Sequence, residues 1–89
     1  MGSYRVFIKA TAAKEIEAIS RKKDRQRVVG RIEQLSEDPR PPGSQKLSGH
    51  DRYRVRCGPY RIVYAVMDNG RIVQVVKVGH REDVYRGIP

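Results

Sequence analysis

Arg54, Arg56 and Arg61 lie close together in the stretch YRVRCGPYRIVY, residues 53–64. A guanidinium is permanently charged and forks two hydrogen bonds onto neighbouring phosphate oxygens, so three together suit a phosphodiester. They await an anion such as a phosphate backbone. Arginine stays protonated at any ordinary pH and is a poor base. Other chemistries lack their residues. Ser36, Ser44 and Ser48 have no base partner at a recognisable spacing, and Asp51, Asp68, Glu82 and Asp83 are scattered. No Cys/His cluster has zinc-ligand spacing, so neither a metal nor a cofactor is expected. His50, in the polar SGHD loop, reads as solvated, and Cys57 as an inert thiol facing the core.

The arginines work together only if strand pairing gathers them. From Gln45 onward the apolar period is two, with YRVRC and YRIVYAVM flanking Gly58-Pro59, and YRIVYAVM and RIVQVVKV flanking Asp68-Asn69-Gly70. Two-residue turns at Gly58-Pro59 and at Asn69-Gly70 predict two hairpins, the second with positive φ at both Asn69 and Gly70. That register sets Arg56 opposite Arg61, Arg54 opposite Val63, and Val63 opposite Val76. One face then carries Tyr53, Val55, Cys57, Tyr60, Ile62, Tyr64, Val66, Val73 and Val75, with Lys77 at its end. The other carries the three arginines over a floor of Val63, Val76 and Val78, with His80 continuing that side. Like charges directly opposite each other are unfavourable by tenths of a kcal/mol up to about one. A local conflict of this kind marks a functional surface.

Upstream, residues 3–9 alternate and read as a first strand. Thr11 is placed to cap a short helix carrying Ala12, Ile16 and Ile19 on one stripe. Val28, Ile32 and Leu35, widened by Val29, mark a second helix that Pro39 terminates. Gly30 weakens it slightly, and DPRPPGS reads as an ordered or semi-rigid loop, too short for an interdomain linker. The 89 residues therefore predict a single α+β domain over 1–89, ordered β-α-α-β-β-β, with two N-terminal helices packed on an antiparallel sheet. Nineteen Lys+Arg against ten Asp+Glu leave a formal charge of +9, which favours a polyanionic partner. No signal peptide or apolar span is evident and one cysteine cannot form an internal disulfide. A cytoplasmic protein with no membrane role is expected.

The stretch KLSGHDRYRVRCGPYRIVYAV, followed by VVKVGHREDVYR, resembles the RelE/ParE toxin superfamily, specifically its RelE-type mRNA interferases. The resemblance covers nearly the whole chain and is most specific from Lys46 to Arg86. It implies a RelE-like fold and a toxin that cuts mRNA in the ribosomal A site without a metal, silenced by a cognate antitoxin. By that likeness Arg54, Arg56 and Arg61 stabilise the reacting phosphate, Arg81 stands near the leaving oxygen, and Tyr85 stacks on or orients a nucleotide. Lys46 corresponds to a position contacting RNA or the ribosome, and Arg52 and Lys77 join it as cations facing mRNA and rRNA. Some relatives carry lysine at the first basic pair, where this chain has arginine. The base then falls to His80 or to Tyr85. Two alternatives remain open on this sequence: a ParE-like inhibitor of DNA gyrase on the same fold, and an RNA-binding module without catalysis.

Overall fold

The computed structural model describes residues 3–47 and 51–80. Strand β1 (Arg5–Ile8) leads through α1 (Ala10–Glu17) and α2 (Lys22–Gln34) to β2 (Gln45–Lys46), β3 (Arg52–Cys57), β4 (Tyr60–Met67) and β5 (Ile72–His80). The strands form one five-stranded sheet, ordered β1-β5-β4-β3-β2. The expected α+β order holds, with β2 as an extra short strand. The sheet is mixed rather than antiparallel, because β1 runs parallel to β5. Parallel neighbours need a long crossover, and the segment containing the two helices supplies part of it.

Both helices pack on one face of the sheet. Ala12, Ile16 and Ile19 and then Val28, Ile32 and Leu35 are all buried, as their spacing predicted, against Val55, Ile62, Tyr64, Val66, Val73, Val75 and Val78. Each large apolar side chain removed from water there contributes roughly 1.5–3 kcal/mol. The helix boundaries differ from expectation. Lys9, not Thr11, occupies the N-cap of α1, with ψ 145° and no side-chain cap. The Lys9 N–H is still bonded to the Val75 carbonyl of β5 at 2.9 Å, so the chain passes from strand to helix with no slack for Thr11 to cap. At the α1–α2 corner the Arg25 guanidinium donates to the Ile19 carbonyl at 2.5 Å, closing one helix end with a side chain from the next.

The β3–β4 hairpin has the predicted register, with Cys57 opposite Tyr60, Arg56 opposite Arg61 and Arg54 opposite Val63. Gly58 supplies the positive φ, 58°. The β4–β5 connection differs. Met67 does face Ile72, but the loop spans residues 68–71, and the left-handed residue is Arg71, φ 51°, rather than Asn69 or Gly70. The Arg71 N–H donates to the Asp68 carbonyl at 3.2 Å, a tight turn completed by one left-handed residue.

Further along β5 the register shifts between Val63 and Tyr64: Tyr64 faces Val75, whereas Val63 faces Lys77. Val76 is therefore a bulge residue, and every later side chain changes face. Val78 turns into the helix-side core, and His80 pairs with Tyr60 on that side. Both were expected on the arginine face. Beyond Ile8 the edge of β5 is covered by α1, where Glu15 accepts the Val78 N–H at 3.0 Å and the Lys77 ammonium at 3.1 Å. Among the described residues, no helix is long and apolar enough to cross a membrane.

Candidate nucleic-acid interface

On the face away from the helices, Arg54, Arg56 and Arg61 line an open cleft of ≈ 400 Å³ with Gly43 and Gln45. Val63, directly opposite Arg54 on β4, is buried. Arg61 is itself only 8 % exposed. Among the described residues no carboxylate pairs with Arg56 or Arg61. None of the Arg61 side-chain nitrogens is both buried and without a partner, so its stem is packed while the guanidinium opens into the cleft. Arg54 lies opposite Gln45, whose Oε1 accepts Nε–H at 2.8 Å and also an N–H of Nη2. The cleft therefore has the charge and the donors to take a phosphate, and one of its guanidiniums is held in place.

The wall is formed by Gly43, near the end of the 38–44 loop, and Gln45, the first residue of β2, and the loop is tied down at three points. Pro41 to Ser44 forms a turn, closed by the Ser44 N–H on the Pro41 carbonyl at 3.0 Å, with Gly43 at φ 91°. Pro then Gly at its two central positions is the pattern of a type II turn. Arg40 reaches across to Asp68 with both terminal nitrogens, at 3.2 and 2.9 Å, and its Nε–H donates to the Tyr53 hydroxyl at 2.9 Å. Tyr4 donates to the same Asp68 carboxylate at 2.8 Å. The bonds from Arg40 and then from Tyr4 hold the Asp68 carboxyl below the usual carboxylate range. Beneath, the buried Tyr64 hydroxyl donates to the Pro39 carbonyl at 2.7 Å, and burial pushes its pKa up to about 12.

Of the residues singled out from sequence, Arg54, Arg56 and Arg61 come together as expected. Arg52 is exposed beside them, opposite Ala65 on the same face. Lys46 is exposed on β2 but pairs with Tyr53, whose ring stacks on the core residue Tyr64 at 5.9 Å. Lys77 is opposite Val63, not at the end of the core wall, and its ammonium is engaged by Glu15. His80 does not join the cleft. The bulge carries it to the helix side, where its ring meets Tyr60 edge-on at 6.0 Å. Arg81 and Tyr85 lie outside the described residues, as does His50. Cys57 is half-buried at the rim of the core, and burial raises its thiol pKa. Gln45, Arg40 and Asp68 were not foreseen. DPRPPGS read only as a loop, and nothing local tells which distant strand a loop arginine will reach.

Comparison with known proteins places this geometry among relatives. The family model described as the ParE toxin of the type II toxin-antitoxin system, parDE, matches residues 6–85. A Methanocaldococcus jannaschii protein provisionally named toxin RelE1 is 37% identical over 59 residues, which is 62% of this chain and 66% of that protein's length. An arginine-substituted mutant of the E. coli toxin RelE in the free state aligns with TM-score 0.76 and 31% identity, over 97% of this chain and 93% of its own. The archaeal RelE of a RelE–RelB complex from Pyrococcus horikoshii OT3 aligns with TM-score 0.76 and 26% identity, over 89% of this chain and 96% of its own.

Proposed function

The chain belongs to the RelE/ParE superfamily of type II toxin–antitoxin toxins, and on that footing we propose that it is a ribosome-dependent mRNA endoribonuclease. The observation that carries this reading is the arginine cleft, in which no described carboxylate neutralises Arg56 or Arg61. In the reaction a ribose 2′-oxygen forms a bond to the adjacent phosphorus while the bond to the 5′-oxygen breaks. The products are a 2′,3′-cyclic phosphate and a free 5′-hydroxyl. The 2′-hydroxyl proton passes to a base, and the departing oxygen takes up a proton.

Arg54, Arg56 and Arg61 bind the scissile phosphate and stabilise the doubly charged phosphorane, where fixed donors count for most. Arg52 and Lys46 extend the positive surface along the RNA and ribosome. Arg81 is assigned to the leaving oxygen and Tyr85 to the nucleotide or the base, on the family likeness alone. His80, whose ring lies against Tyr60 on the helix side, is given no part in proton transfer in this proposal. A RelB-like antitoxin is the cognate partner, in keeping with the complexes formed by the structural relatives. Covering the arginine face or wrapping the helices would silence the toxin.

Purified protein added to a translating extract tests this. Cleavage of ribosome-bound mRNA with 2′,3′-cyclic phosphate ends is expected, and Arg61→Ala lowers its rate by about 100-fold or more. Intact mRNA with inhibited gyrase supercoiling would refute the nuclease and identify a ParE-like gyrase inhibitor. Salt-sensitive RNA binding with neither effect would refute catalysis and leave a binding module.

A further inference from the structure

We propose that Gln45 is a positioning residue for Arg54, holding its guanidinium plane in the orientation the cleft requires; this rests on the cleft being the phosphate site. Strand β2 is two residues long and both are exposed, so burial does not account for it. Its register places Gln45 directly opposite Arg54, and one amide oxygen accepts from both Nε and Nη2 of the guanidinium. Two bonds to one edge of a planar group fix its rotation, which a single bond leaves open. A neutral amide does this without cancelling the positive charge. A carboxylate in its place would hold the same edge and remove one unit of positive charge from a cleft meant for an anion.

The surroundings of Gln45 fit that task. The turn at Pro41–Ser44 delivers it, and the Arg40 clamp onto Asp68 and Tyr53 fixes the loop before it. The same strap thus lines the cleft with Gly43 and orients one of its arginines with Gln45.

Two substitutions and two measurements test the assignment. In ¹⁵N-labelled protein the Arg54 Nε–H resonance, identified by its loss in Arg54→Lys, is expected apart from the exposed arginines. It collapses into them in Gln45→Ala and persists in Gln45→Glu. In single-turnover cleavage of ribosome-bound mRNA, Gln45→Ala slows the saturated rate by about tenfold with little change in KM. Gln45→Glu keeps most of that rate but raises KM. Gln45 is exposed, so neither change should move Tm by more than a few degrees, about what a surface substitution produces. An Arg54 resonance unchanged in Gln45→Ala overturns the assignment, and so does a loss expressed wholly in KM. If the wild-type protein leaves mRNA uncut, the nuclease reading fails, and the Arg54 resonance still decides whether Gln45 positions it.

Discussion

Replacing Tyr64 with Phe removes one oxygen and tests whether the core supports the strap. The Tyr64 side chain is fully buried, and its hydroxyl donates to the Pro39 carbonyl at 2.7 Å. Tyr64→Phe keeps the ring and its stacking on Tyr53. It leaves the Pro39 carbonyl with no donor from this position, at a cost of about 1–3 kcal/mol. Such a loss lowers Tm by roughly 4–8 °C per kcal/mol in a domain of this size. Calorimetry or thermal circular dichroism at neutral pH reads it directly. The alkaline limb supplies an independent check. Burial holds the folded Tyr64 pKa up at about 12, above the ordinary value near 10. The neutral phenol therefore contributes stability in full below pH 10, and that contribution is lost as pH rises through 12. The Phe variant has no such group, so the gap between the two proteins narrows over that window. An unchanged Tm, or a gap constant from pH 8 to pH 12, would refute the argument.

Asp68→Asn tests the clamp above that core. Arg40 and Tyr4 hold the Asp68 carboxyl below its ordinary value, so its contribution is present above about pH 4 and disappears as pH falls through the lower folded value. The variant should be less stable than wild type at pH 7 and equal to it in acid, as urea titrations at both pH values would show. Arg56→Gln should move two properties in opposite directions. Relief of the Arg56–Arg61 opposition raises stability by tenths of a kcal/mol up to about one, while the slope of log affinity for single-stranded RNA against log salt falls by about 0.7. Gly30→Ala, on α2 with open space where the new methyl would stand, should stabilise by about 0.5–1 kcal/mol in denaturant unfolding.

Short-range physics made much of this protein legible. The i, i+4, i+7 spacing of Ala12, Ile16 and Ile19 and of Val28, Ile32 and Leu35 fixed which helix faces are buried. Gly58 at a two-residue turn fixed the register that brings Arg56 against Arg61, because strand alternation and turn length are local properties. Those two facts suffice to put the three arginines on one face.

Only the tertiary structure decided what surrounds them. One extra residue, Val76, inverts the faces of the rest of β5 and takes His80 away from the arginines, because alternation carries no record of where a bulge will fall. The parallel pairing of β1 with β5 depends on which sheet edge is left to cover. Gln45 on Arg54, and Arg40 on Asp68, bring together residues from separate elements. Such contacts arise only when the packed core has set the distance between the loop and the strand.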